Sequence, residues 1–246
     1  MYHKEKEKAK NINLNIFRGL YMKYKFSDSE VGKILKNLTV ICDSREKSND
    51  HIISFFNKQG IKYKTMKLDY GDYSIMIPQG SFKGQIRDIY FTNDIVLERK
   101  FCIDEIAMNL KDKKTNINEI KQEIIDLLGK QYLEKVLKSD YNRFKQELTS
   151  INKYGITFKI LIEDPDFDEN IRLGNYRNQY EPKTLYSRLK SLESEFRTTI
   201  RPVNKLYMGS EIFNTLKYGV RNKLVHEGYI DELIWDRVES EGKEID

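Results

Sequence analysis

The chain has 246 residues, of which 39% are hydrophobic and 33% are charged, a composition typical of a globular protein and not of a disordered one. No apolar run approaches the roughly 20 residues that span a bilayer, and no apolar stretch follows the basic N-terminus as in a signal peptide, so we expect no membrane association. The net charge of +5 suits a polyanionic partner but is too small to identify one.

Cysteine and histidine usage makes zinc chemistry improbable. Cys42 and Cys102 lie in no zinc-binding spacing, and His3, His51 and His226 are scattered along the chain. We therefore predict two reduced thiols and a cytoplasmic location.

The N-terminal region, residues 1–37, is predicted to be a basic arm followed by a helix that begins at Ser27 or Ser29. Beyond it, short apolar runs predict buried strands, and apolar residues at helical spacing predict amphipathic helices. In chain order we predict strand 38–41, helix 50–59 ended by Gly60, strands 61–68, 73–77 and 94–100, helices 103–111, 117–137 and 140–153, strand 158–162, helix 182–197, strand 200–207 and a last helix from about Ile212 to Leu224.

Buried strands that alternate with helices indicate an α/β domain, with helices on both faces of a central sheet. We assign this domain to residues 38–226 and find no internal repeat and no second domain. Residues 112–139 form a predicted helical insertion, which we interpret as packing or a partner surface rather than a catalytic lid. Residues 227–246 form an acidic tail.

Three side chains from two predicted strands carry the main chemical signal. Asp72 begins one strand, and Glu98 and Lys100 end another, where alternation places these two on one face and Arg99 on the other. If the strands are neighbours, Asp72 and Glu98 can share a cation. Two carboxylates and a substrate phosphate suit Mg²⁺, which prefers hard oxygen ligands. Lys100 would then lie beside the scissile phosphate, where an ammonium offsets developing charge.

Each of these signals has an ordinary structural explanation when it is taken alone. Gly71-Asp72 could be a simple turn, residues 98–100 could be an exposed charged run, and residues 43–46 could cap a helix. Their order, each at a predicted strand end, favours a nuclease site. For Arg143, a surface pair with Glu147 is an equally good explanation.

Four blocks together resemble one family, the XPF-type nuclease domain, named after the xeroderma pigmentosum group F protein. The blocks are Asp43-Ser44-Arg45-Glu46, Gly71-Asp72, Glu98-Arg99-Lys100 with three residues to Asp104, and Arg143-Phe144. The resemblance extends from about residue 38 to 220 and is greatest to short bacterial and phage forms. It implies a restriction-endonuclease-like fold, in which a central mixed sheet is flanked by helices.

The resemblance also implies roles for individual residues. Asp72 and Glu98 would bind Mg²⁺ or Mn²⁺ together with the backbone carbonyl of Arg99, and Lys100 would be catalytic. The remaining implied roles are further acidic catalytic residues at Asp43 and Asp104 and substrate-binding residues at Arg45, Arg99 and Arg143. The insertion at 112–139 departs from the family pattern, because it separates Asp104 from Arg143.

From these observations we expect an endonuclease that acts on flap, fork or branched DNA in repair or recombination, without a nucleotide cofactor. Apolar helix faces at 185–196 and 212–224, together with the family's habit, predict a homodimer. We expect no tandem helix-hairpin-helix domain in this chain. The alternatives are a catalytically silent DNA-binding scaffold, against which the intact Asp72, Glu98 and Lys100 argue, and a sequence-specific nuclease, for which no base-reading element is evident.

Overall fold

The computed structural model describes residues 23–24, 26–110, 140–227 and 229–230. The insertion predicted at 112–139 lies entirely outside these residues, as do most of the N-terminal arm and of the acidic tail. None of the described helices is both long enough and apolar enough to cross a bilayer.

The chain divides into two compact units. The described parts of the first lie within residues 1–39, 76–89 and 217–246, and those of the second lie within 40–75 and 90–216. No such division was predicted from the sequence.

The strands are β1 (Lys23–Tyr24), β2 (Thr39–Asp43), β3 (Lys62–Met66), β4 (Tyr73–Ile77), β5 (Ile89–Tyr90), β6 (Ile95–Lys100), β7 (Thr157–Ile162), β8 (Thr199–Pro202) and β9 (Tyr229–Ile230). The α-helices are α1 (Asp28–Lys36), α2 (Asp50–Gln59), α3 (Ile103–Leu110), α4 (Asp140–Lys153), α5 (Phe167–Leu173), α6 (Pro182–Phe196) and α7 (Met208–Asn222).

The main sheet has the strand order β3-β2-β4-β6-β7-β8, and β5 pairs with β4. Strands β4 and β6 are antiparallel, with Tyr73 opposite Leu97. Strands β6, β7 and β8 are parallel, with Lys100 opposite Ile162 and Ile162 opposite Pro202. The sheet is therefore mixed, as predicted, and the carboxyl ends of β6, β7 and β8 lie at one edge.

Burial follows the position of each strand in the sheet. All five residues of β2 and all five of β4 are buried, as expected for central strands. Most of β3 is exposed, and charged side chains such as Lys62 and Lys64 are typical of an edge strand that avoids pairing with other chains.

Helices cover both faces of the second unit's sheet. On one face, α3, α4, α5 and α6 pack on β6 and β7 in a continuous apolar cluster that includes Val96, Ile160 and Leu189. On the other face, His51 of α2 reaches Glu163 at the end of β7. The α/β prediction is confirmed.

The apolar helix faces that favoured a homodimer are buried within the single chain. Leu185, Leu189 and Leu192 of α6 belong to the main cluster, and Ile212 and Leu216 of α7 are also buried. These faces therefore give no support to dimerisation, and the homodimer stays a prediction.

Local signals placed the helix ends well. Ser27 and Glu30 form the reciprocal hydrogen bonds of a capping box at the start of α1, and Gly60 ends α2 with a positive φ of 64°. The predicted strand 200–207 is wrong after Pro202, because Asn204 caps a short 3-10 turn at Lys205–Tyr207 by accepting a hydrogen bond from the Leu206 N–H.

The sequence did not predict α5 or β5, nor the antiparallel pairing of β1 with β9. The last of these joins the end of the predicted basic arm to the start of the predicted acidic tail.

Candidate active site

Asp72 is fixed beside Glu98 by two hydrogen bonds that flank that residue. The Asp72 backbone N–H donates to the Leu97 carbonyl over 2.9 Å, and the Arg99 backbone N–H donates to Oδ2 of Asp72 over 2.8 Å. Because Glu98 lies between these two anchor points, the start of β4 and the end of β6 bring both carboxylates to one place. The structure thus brings together the two predicted metal ligands.

Gly71 allows this close approach. Its φ is +62°, and a Cβ atom added there would lie 2.5 Å from Cγ1 of Val96 and 2.9 Å from the carbonyl oxygen of Leu97. Any other residue would clash with β6 and would also be strained in this conformation. The glycine of the Gly71-Asp72 motif is therefore required by packing against the neighbouring strand.

Lys100 lies in the same cluster and is buried, with 8% of its side chain exposed. Its Nζ is 2.7 Å from Oε1 of Glu98 and 3.3 Å from Oε1 of Glu105, and it lies 5.7 Å from the centre of the Phe144 ring. These contacts hold the Lys100 ammonium against the Glu98 carboxylate.

The charges of the cluster alter the acidity of its members. Burial and the neighbouring Glu98 carboxylate raise the pKa of Asp72 well above its ordinary value. Burial also raises the pKa of Glu98, against the opposing effect of Lys100 and with a further contribution from Glu147. Burial disfavours the charge of Lys100, but Glu98 and Glu105 outweigh it, so the pKa of Lys100 is raised and the side chain is an ammonium at neutral pH.

The donor set fits Mg²⁺ or Mn²⁺. Oδ1 of Asp72 and Oε2 of Glu98 accept no hydrogen bond from the described residues, so each carboxylate keeps one oxygen available to a cation. Among the described residues, no group of three or more His, Cys, Asp or Glu side chains is arranged to hold a metal. An open site with two carboxylates suits Mg²⁺, which is commonly completed by water and substrate phosphate.

Asp43 is the last residue of β2, and its carboxylate is enclosed by neighbouring segments. Its side chain is 2% exposed and accepts hydrogen bonds from the Leu68 N–H and from the backbone and guanidinium of Arg45. Despite burial, these hydrogen bonds hold the pKa of Asp43 below its ordinary value. Arg45 is more exposed, at 61%, and its charge interacts with Asp72. Asp43 therefore acts as a structural anchor, and the exposed Arg45 retains its predicted position near the site.

The Arg99 side chain points away from the carboxylate cluster, as strand alternation predicts. It is 4% exposed and pairs with Glu46 at 2.7 Å and with Glu163 at 3.3 Å. Glu163 in turn contacts His51 at 2.6 Å. Both ion pairs engage the guanidinium within the fold, and substrate binding by this side chain stays a prediction. The Arg99 backbone lies between Glu98 and Lys100, and its carbonyl as a metal contact stays a prediction.

Asp104 lies one residue from the acid that reaches the cluster. Its Oδ1 accepts a hydrogen bond from the Asn178 N–H over 2.6 Å, while Glu105 pairs with Lys100 and also accepts from the Phe101 N–H. The structure thus brings Glu105, and not Asp104, to Lys100. The sequence signal for Glu105 was its place in the first turn of α3, five residues after Lys100.

Glu147 is a second acid that the sequence did not identify. Its Oε1 accepts a hydrogen bond from the Gly71 N–H over 3.1 Å, which ties α4 to the turn that carries Asp72. Arg143, one helical turn earlier, is exposed on α4. Glu147 was considered only as a surface partner of Arg143, because its contact with Gly71 joins positions far apart in sequence.

Comparisons with known proteins identify the family of this domain. Residues 42–216, well over half of the chain, match the family model described as the ERCC4 domain. Among solved structures, XPF from Aeropyrum pernix matches with 15% identity and a TM-score of 0.43, over 73% of this chain and 60% of that one. XPF from Aeropyrum pernix in complex with DNA matches with 15% identity and a TM-score of 0.42, over 73% and 63%. No curated protein matches the sequence.

The structure predicts that Gly71→Ala disrupts the site. The added methyl group must displace either the Asp72 turn or β6, and the positive φ adds strain, so we expect a loss of about 3 kcal/mol in the free energy of unfolding. Urea denaturation would measure it. Gly80→Ala is the matched control, since Gly80 also has a positive φ, of 77°, but has no atom near an added Cβ. Equal losses for both variants would contradict the packing argument.

Asp43→Ala is expected to destabilise the fold by about 2–3 kcal/mol, because it leaves the buried Leu68 N–H without its acceptor and removes the ion pair with Arg45. The pKa of Asp43 is lowered in the fold, so its contribution is present above the unfolded pKa and is lost as the pH falls. Thermal melts at pH 7 and pH 3 would test both statements. Asp69→Ala is the control. Asp69 is exposed in the loop after β3, and its substitution should leave the melting temperature unchanged at both pH values.

Asp72→Asn is expected to raise the melting temperature of the metal-free protein at neutral pH. The pKa of Asp72 is raised in the fold, so ionisation costs stability as the pH rises from its ordinary value of 3.8 towards the folded value. Asparagine keeps an acceptor for the Arg99 N–H and removes the charge. The melting temperatures of parent and variant should converge near pH 3.5 and differ by a few degrees at pH 7. A parent more stable than the variant at pH 7 would refute this account.

Proposed function

This chain belongs to the ERCC4 domain family, and we propose that it is an endonuclease that hydrolyses phosphodiester bonds in DNA with Mg²⁺ or Mn²⁺. The observation that carries the proposal is that Asp72, just before β4, lies together with Glu98 and Lys100 at the end of β6. The family match supports the same class of activity.

Each of the three side chains has a distinct proposed role. Asp72 and Glu98 would hold the cation, whose positive charge would polarise the scissile phosphate. Lys100, whose ammonium form is favoured by the neighbouring Glu98 and Glu105, orients the reacting groups and stabilises the negative charge that develops on the phosphate.

The supporting residues keep this arrangement rigid. Glu105 and the ring of Phe144 hold the Lys100 ammonium, and Glu147 holds the Gly71 turn. A rigid site preserves the geometry on which electrostatic stabilisation depends. The exposed guanidinium of Arg45 is placed to contact a neighbouring phosphate.

The substrate that we propose is branched DNA, such as a flap or a fork, processed in repair or recombination. Support comes from the family and from the XPF relative that was solved with DNA. The chain spans about three-fifths of the length of the XPF structures that it matches, so the contribution of their other parts is not transferred to it.

The decisive experiment compares the parent with Glu98→Gln in cleavage of linear, nicked, flapped and forked DNA. We expect the parent to cut branched DNA only with Mg²⁺ or Mn²⁺, and the variant to lose at least about 100-fold in rate while it still binds DNA. Mg²⁺ should also raise the melting temperature of the parent, by the equivalent of about 2.7 kcal/mol at 100 times its Kd. The melting temperature of the variant should respond far less.

Glu195→Gln is the control, because Glu195 is a half-exposed acid that pairs with Lys145 away from the cluster. It should cleave and melt like the parent. A parent that binds branched DNA but leaves it uncut with either cation would refute the enzyme and favour the scaffold alternative.

A further inference from the structure

A large aromatic side chain is exposed directly beside the candidate active site. Phe101 follows Lys100, and 53% of its surface is accessible. Its backbone is held in place, because its N–H donates to the same Glu105 carboxylate that pairs with Lys100. The ring therefore projects from a rigid point, one residue away from the proposed catalytic lysine.

A second exposed group meets Phe101 across the edge of the sheet. Because β6, β7 and β8 are parallel and in register, the segments that follow them emerge at the same edge. The turn after β8 carries Lys205, whose Nζ lies 5.6 Å from the centre of the Phe101 ring. The two residues that follow, Leu206 and Tyr207, are 81% and 67% exposed.

We define Phe101, Lys205, Leu206 and Tyr207 as the aromatic shelf. Exposed single apolar residues need no explanation, but an exposed ring in contact with a cation, one residue after Lys100 and followed across the edge by further exposed side chains, indicates a binding surface. The combination of an aromatic face with a positive charge is the one that single-stranded nucleic acid requires, since bases stack on the rings and phosphates contact the cation.

We propose that the aromatic shelf binds an unpaired nucleotide next to the bond that is cut, with its base stacked on Phe101 and its phosphate near Lys205. This inference rests on the proposed nuclease function and specifies how that site selects its substrate. In duplex DNA the faces of a base are covered by its neighbours. An unpaired base can stack on Phe101 without first being separated from a pairing partner and stacked neighbours.

Binding without a metal ion tests the shelf separately from cleavage. The probes are a thymidine oligonucleotide of about 12 residues, within the usual range of single-strand site sizes, and an abasic strand of the same length and phosphate count. We expect the parent to bind the thymidine strand more tightly. Phe101→Ala should weaken that binding about 5- to 100-fold and leave binding of the abasic strand unchanged. Phe101→Trp, which keeps an aromatic ring, should bind the thymidine strand about as tightly as the parent.

The chain provides a matched control at the other edge of the sheet. Lys153 and Tyr154 end α4, just before β7 begins, and they form a similar pair, with Nζ 5.8 Å from the ring centre and Tyr154 65% exposed. Tyr154→Ala should bind both strands like the parent. Lys205→Ala should weaken both strands equally, because it removes a phosphate contact. All variants should melt like the parent, since the substituted side chains are exposed.

Several outcomes would overturn the inference. Equal affinity of the parent for the thymidine and abasic strands would exclude stacking, as would an unchanged affinity of Phe101→Ala for thymidine. Loss of self-association in Phe101→Ala, with DNA binding intact, would identify the shelf as an interface between two copies. Metal-dependent cleavage of branched DNA by the parent would leave the nuclease proposal standing in each of these cases, whereas its absence would refute that proposal independently.

Discussion

The hydrogen bond from the Arg99 backbone N–H to the Asp72 carboxylate is the interaction on which the candidate site depends. It joins the end of β6 to the start of β4, which are antiparallel neighbours, and so it fixes one carboxylate beside another. This geometry is possible only because Gly71 lets the preceding turn lie directly on β6. The conformation of one glycine thus determines where the proposed metal site can form.

Alternation along β6 lets one strand serve two charge clusters with different requirements. Arg99 is compensated on its face by Glu46 and Glu163, an arrangement in which a buried cation meets acidic partners. On the other face, Glu98 and Asp72 share a single buried cation, Lys100, and their pKa values are raised. Both clusters thus set two carboxylates against one buried cation, and the raised pKa values of Asp72 and Glu98 mark the second as the candidate functional site.

The sequence predicted what depends on local pattern. Periodicity located β2, β4, β6 and β7, and alternation correctly separated Glu98 and Lys100 from Arg99. It did not predict contacts set by packing between distant elements. Glu147 reaches Gly71 only because α4 packs over the end of β6. Asp43 is enclosed because the segments that carry Arg45 and Leu68 come together around it. A motif identifies residue types, but the fold decides which neighbouring acid, Asp104 or Glu105, contacts the lysine.

The two edges of the sheet show why position matters more than residue type. A lysine lies over an exposed aromatic ring at both edges, as Lys205 over Phe101 at one and as Lys153 over Tyr154 at the other. Only the first pair stands at the carboxyl ends of parallel strands, where segments from β6 and β8 converge beside Lys100. The same contact therefore lies at the start of β7 at one edge, whereas at the other it stands next to Lys100 in the chain.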